Sequence, residues 1–180
     1  MAESKLVLHP VNPWAILQDA PGLLESLRRI GLIGPAFSHI GELHYRAGLR
    51  FADLVTFRDG AAPDPASRHF SLLETTDEPA FLGAGNAHAP GCPACGAKLA
   101  NWTDQLLEWH QARQRYAWSC PGCGRKMPVQ ELVWGATGGI ARYSVDMWNI
   151  GEGEAVPSAA LLSHLESETF ESWRYFYYRF

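Results

Sequence analysis

The stretch Ile140-Ala141-Arg142-Tyr143-Ser144-Val145-Asp146-Met147-Trp148-Asn149-Ile150 alternates along its length. Ala141, Tyr143, Val145 and Met147 fall on one side of an extended chain, and Arg142, Ser144 and Asp146 on the other. A period of two predicts a strand with one buried face and one at least partly wet face. The residues that follow fit such a sheet. Residues 157–168 read as a helix, with Pro157 in the first turn, where its missing N–H costs nothing, and Leu161, Leu162 and Leu165 as an apolar stripe. The chain then runs Trp173-Arg174-Tyr175-Phe176-Tyr177-Tyr178-Arg179-Phe180, an aromatic strand. Both of its faces are aromatic, so both need cover, either from this chain or from another.

Working back from that stretch, residues 5–9 form a short apolar strand candidate, and residues 21–31 read as a helix. Leu23, Leu24, Leu27 and Ile30 share one face of it, and Gly31 is placed to end it. An earlier start at Pro13-Trp14 is opposed by Pro21-Gly22. Residues 37–49 have no clear period. Residues 51–57 and 68–74 read as strands joined by the turn-rich loop Asp59-Gly60-Ala61-Ala62-Pro63-Asp64-Pro65, which makes an antiparallel pair the simplest expectation. Residues 75–91, rich in glycine and proline, read as a connection.

The predicted order is strand, helix, two strands, a cysteine-bearing module, strand, helix, strand. This points to an α+β fold: a mixed or antiparallel sheet with two main helices and an inserted four-cysteine module. Residues 1–90 and 129–180 would together form one α+β domain, with residues 91–128 as the insert. The pattern loosely resembles ferredoxin-like topology.

The insert is bounded by Cys92-Pro93-Ala94-Cys95-Gly96 and Cys120-Pro121-Gly122-Cys123-Gly124. Each pair wraps a tight turn around one metal ion, and the glycine after the second cysteine permits a positive φ. Together the pairs supply four thiolates, which close a tetrahedral shell and leave no open position for water or substrate. Cys92, Cys95, Cys120 and Cys123 are the only cysteines in the chain, so none is left over. The motif resembles the knuckles of zinc ribbons and also those of rubredoxins, over residues 91–128 alone. That resemblance implies structural Zn²⁺, with Fe as the alternative, because tetrahedral four-sulfur sites suit both. Cys92 and Cys95 taken alone resemble a glutaredoxin-type dithiol, a reading that leaves the second pair unexplained.

Other features carry weaker chemistry. His88 and His110 lie close enough in sequence to substitute for a cysteine ligand, but four cysteines already suffice. Lys98, Arg113, Arg115, Arg125 and Lys126, with Trp102, Trp109, Tyr116 and Trp118 among them, suit phosphate contact and base stacking. A small core whose cations offset the negative metal–thiolate cluster is the better reading. His9, His39, His44, His69 and His164 are scattered and read as structural or exposed. Glu42 and His44 form an acid/base pair in principle, and solvated side chains are the simpler reading. Gly83-Ala84-Gly85-Asn86 lacks the lysine of a phosphate loop and reads as a plain loop. No Gly-x-Ser-x-Gly or His-Glu-x-x-His motif is present.

At 180 residues, with a formal charge of −4, the chain has enough apolar content for a core and no general field for nucleic acid or anionic membranes. Residues 1–10 have no basic region before a long apolar run, and no apolar stretch is long enough to span a bilayer, so a cytoplasmic protein without membrane contact is expected. The resulting expectation is a non-enzymatic zinc protein that acts through contact with another protein or with itself. A nucleic-acid-binding zinc-ribbon protein is the second reading. An enzyme with a site hidden in the sequence, or a rubredoxin-like electron carrier, comes after it.

Overall fold

The computed structural model describes residues 4–58, 64–74, 77–112 and 117–180. In chain order its strands are β1 (Ser4–Pro10), β2 (Ile33–His39), β3 (Glu42–Ala47), β4 (Val55–Phe57), β5 (His69–Glu74), β6 (Ala80–Phe81), β7 (Trp118–Ser119), β8 (Lys126–Met127), β9 (Ile140–Ala141), β10 (Tyr143–Trp148), β11 (Ala155–Pro157) and β12 (Trp173–Arg179). The helices are α1 (Ala20–Arg29), α2 (Phe51–Leu54), α3 (Trp102–Ala112) and α4 (Ala159–Thr169). A six-stranded sheet runs β12-β1-β10-β5-β3-β2. Every neighbouring pair in it is antiparallel. The fold is therefore α+β with an antiparallel sheet. The loose ferredoxin-like resemblance holds for the four strands β12-β1-β10-β5, with α1 between β1 and β5 and α4 between β10 and β12. They have the split βαβ order, in which β10 lies between the parallel β1 and β5, and the β2–β3 hairpin extends the β5 edge.

One face of the sheet meets α1 and α4. Leu6, Leu8, Phe70, Tyr143, Val145, Met147, Trp173 and Tyr177 from the strands pack with Leu23, Leu27, Leu161 and Leu165 from the helices. The start of α1 is set by Asp19, whose side chain accepts the Gly22 N–H at 2.8 Å, and the helix does not reach back to Trp14. Gly31 follows its end with φ +81°. Ser158 caps α4 by accepting the Leu161 N–H at 3.2 Å. Pro157 therefore lies before the helix, in β11, and not in its first turn as expected. The two helices meet through Ser26 and His164, whose Oγ and Nε2 are 2.7 Å apart. His164 is thus a structural histidine.

Four further expectations are corrected. Residues 51–57 are not one strand: Phe51–Leu54 is a helical turn and only Val55–Phe57 is extended. That strand pairs with β11, whereas β5 lies between β10 and β3. The loop expected to join them falls at 59–63 outside the described residues. The long strand of residues 140–150 is broken at Arg142, so β9 pairs with β6 and β10 with β1 and β5. Ala141 consequently joins Val7, Leu82 and Phe176 on the far face instead of the Tyr143 side. Finally, Ser144 and Asp146 are buried, so β10 has no wet face.

Residues 37–49, without a clear period, include most of the β2–β3 hairpin, with Ile40-Gly41 as its two-residue turn. Both turn residues have positive φ, +50° at Ile40 and +82° at Gly41. Hairpin turns of this type favour asparagine before glycine, and a β-branched residue disfavours that region. Ile40 is 84% exposed, so it gains little from packing. Ile40→Asn is therefore expected to stabilise the chain by about 1 kcal/mol. An unchanged or lowered midpoint in urea unfolding would contradict the turn geometry.

Both faces of β12 find cover within the chain. Trp173 and Tyr177 lie under the helices, and Phe176 is buried with Val7, Leu82 and Ala141. Tyr175 and Tyr178 are half-buried. The outer edge is also occupied: Tyr177 N–H donates to Ala136 O, and Asn86 bonds both Tyr177 O and the Arg179 N–H. Asn86 of the glycine-rich loop thus blunts a sheet edge.

Candidate metal centre

The two cysteine pairs close on each other in near-identical turns. Gly96 N–H donates to Cys92 O at 2.8 Å and Gly124 N–H to Cys120 O at 2.9 Å. The glycines have φ +73° and +71°, which supports the expected requirement for glycine after each second cysteine. Each knuckle then doubles back: Cys92 N–H reaches Ala97 O and Cys120 N–H reaches Arg125 O, both at 2.9 Å. Backbone N–H groups of Ala94 and Gly122 point at the sulfurs of Cys92 and Cys120, each at 3.4 Å. Such contacts orient and stabilise thiolate ligands.

All four sulfurs lie within 4.8 Å of one another. Cys92 Sγ is 3.8 Å from Cys123 Sγ, and Cys95 Sγ is 3.5 Å from Cys120 Sγ. Disulfide sulfurs would be about 2.0 Å apart, so these are four separate thiol groups. A tetrahedron with metal–sulfur bonds of about 2.3 Å separates its corners by about 3.8 Å, and these two spacings lie close to that value. The electrostatics of the four sulfurs suit a cation. The Cys123 N–H, then that of Gly122, draws Cys120 down to about 6 against the cost of burial. The Ala97 N–H favours the Cys95 thiolate, yet the neighbouring sulfurs, Cys120 first, push it up to about 12. Crowded sulfurs cannot all ionise unless a metal neutralises them.

Cys92 and Cys120 belong to an apolar cluster with Leu99, Trp109, Trp118, Met127, Val129, Leu132, Trp134 and Ile140. Phe81 and Trp102 pack against it. Cys95 and Cys123 lie at the surface. The cluster reaches beyond residues 91–128, because Phe81 and Ile140 pair across the β6–β9 ladder that joins the lobe to the sheet. Trp109 and Trp118 are buried there and unavailable for base stacking. Arg113, Arg115 and Tyr116 lie outside the described residues. Arg125 pairs with Glu131 at 3.2 Å. His88 bonds Thr137 through both its N–H and its ring, and His110 is exposed. Neither histidine belongs to the sulfur cluster.

The far face of the sheet holds polar groups that reading the chain in order does not bring together. Lys5 pairs with the buried Asp146, whose other oxygen accepts from Ser144 Oγ at 2.7 Å. The Lys5 ammonium lies 4.6 Å from the ring centroids of both Trp148 and Tyr178. Further along, His39, His44 and His69 form one cluster beside Trp148, and His44 and His69 are buried, contrary to the expectation of scattered histidines. Burial, followed by repulsion from His44 and His39, lowers His69 to about 4. Burial lowers His44 as well. Glu42 is exposed and lies 3.9 Å from His44 Nε2. The only signal for this cluster in the sequence is three histidines in residues destined for adjacent strands.

No helix among the described residues is long and apolar enough to cross a membrane. No protein-family model matches this sequence, and neither does any curated protein or solved structure.

Proposed function

We propose that the chain is a zinc protein whose Cys92, Cys95, Cys120 and Cys123 hold one structural Zn²⁺. The observation that carries this reading is the convergence of four sulfurs within 4.8 Å on two glycine-terminated knuckles. A closed thiolate shell offers no position for substrate, so the ion acts by fixing the loops around it. A contact role for the metal-held lobe, with another protein or a second copy as partner, is the companion reading. It is supported by the closed shell and by the exposure of both knuckle tips, at residues 93–95 and 121–124. The aromatic C-terminal strand does not support it, because that strand is covered from within.

Metal analysis of protein purified without added metal is the test. One zinc per chain is expected, released by a strong chelator together with loss of Trp109 and Trp118 packing, read as a change in tryptophan fluorescence. Iron with the visible absorption of an Fe–thiolate centre would replace this reading with the rubredoxin-like one. A chain free of any metal would refute both.

A further inference from the structure

The cluster on β2, β3 and β5 has the makings of a second metal site. His44 sits opposite Phe37 in the β2–β3 ladder, and His69 opposite Arg46 in the β3–β5 ladder. His39, His44 and His69 are therefore diagonal neighbours on one face, within mutual reach of their side chains. Their ring centroids form a near-equilateral triangle: 5.0 Å for His39–His44, 4.8 Å for His39–His69 and 4.8 Å for His44–His69. His44 and His69 are 1% and 7% exposed. Nδ1 of His44 and both ring nitrogens of His69 are buried without a hydrogen-bond partner in the protein. Buried polar atoms of this kind are uncommon, and each calls for a partner. A cavity of about 210 Å³ lies over the cluster, lined by His39, Ile40, Glu42, His44 and Trp148.

We infer that His39, His44 and His69, with the Glu42 carboxylate in reach, bind a divalent transition-metal ion of the Zn²⁺ type, separate from the cysteine centre. Imidazole nitrogen with one carboxylate is a donor set suited to such ions. The surrounding charges are mixed. Glu42 and Asp146 both act on His44 and favour a cation, whereas Arg46 acts on His69 and opposes one. The Arg46 guanidinium is turned onto the Phe37 ring, 4.0 Å from its centroid. Among the described residues the cysteines are the one group whose ligand atoms already converge within 4.8 Å. The imidazoles must therefore turn inward to reach bonds of about 2.0–2.1 Å. His39 is half-buried and Glu42 is exposed, so the side chains at the mouth have room to do so.

The test uses the full chain without a histidine tag, with its cysteine centre loaded with zinc, and Co²⁺ as the probe. The expected result is one bound Co²⁺ per chain in addition to the zinc. It should show ligand-field absorption in the visible and no sulfur-to-cobalt charge-transfer band. His39→Ala should weaken this binding more than tenfold and leave the zinc content at one. Because substitution at this position can disturb the hairpin, the wild-type chain supplies a second readout. Zn²⁺ in excess should shift the imidazole nitrogen resonances of His39, His44 and His69 and leave those of His9 and His164 unmoved. No cobalt spectrum, cobalt found only on sulfur, or unmoved resonances at the three histidines would overturn the proposal. Ordered water would then be the partner of the buried nitrogens.

Discussion

Cys123→Ser is expected to release the four-cysteine lobe while the six-stranded sheet stays folded, if the lobe holds the zinc proposed above. Apart from α3 and its apolar cluster, the lobe has only short ladders to hold its knuckles. Its ladders are the two-residue pair of β7 with β8 and isolated bridges from Gly91 to Lys98 and Val133. Structural zinc supplies about 10–16 kcal/mol of apparent binding free energy in small modules, so loss of one thiolate removes a large share of what holds the loops. The sheet rests on a separate cluster, in which β1, β10 and β12 pack against α1 and α4. Hydrogen exchange should therefore show early loss of protection at residues 91–99 and 118–133, with β1 and β10 retained. A uniform loss would mean that Phe81 and Ile140, which join the lobe to the sheet, couple the two into one cooperative unit.

Asp146→Asn should destabilise the sheet by about 3 kcal/mol. Asp146 is 2% exposed and the Lys5 side chain 12%, so the single substitution leaves a buried ammonium facing a neutral amide. The two rings beside Lys5 supply part of its stabilisation but do not replace a carboxylate. Lys5→Met combined with Asp146→Asn should recover most of the loss. The double variant removes both charges and keeps an acceptor for Ser144 Oγ, and a buried ion pair is often no more stable than its neutral replacement. Chemical denaturation of the three proteins gives the comparison. A single variant within about 0.5 kcal/mol of wild type would place the Lys5 ammonium in effective contact with water.

Much of the local structure is readable along the chain because it depends on near neighbours. The alternation through Tyr143, Val145 and Met147 marks β10. The leucine spacing marks α1 and α4, and the paired knuckles mark the four-cysteine cluster. Each of these signals lies within a few residues of the group it describes. The hairpin of residues 33–47 is not legible in the same way. Its turn is Ile40-Gly41, where the isoleucine hides a conformation that asparagine would have announced.

Partnership across the sheet is of a different kind. That Val55–Phe57 pairs with β11 rather than β5, that β10 is buried on both faces, and that three histidines from three strands meet beside Trp148 all depend on strand order and register. The cysteines come in close pairs, since a tight turn brings two sulfurs together, and so the sequence alone determined that four-sulfur cluster. The histidine cluster and the Lys5–Asp146 pair join residues far apart in the chain, whose side chains meet only after antiparallel pairing sets which of them share a face. Tertiary structure alone decided those contacts, because a one-residue change of register would turn every one of these side chains to the opposite face.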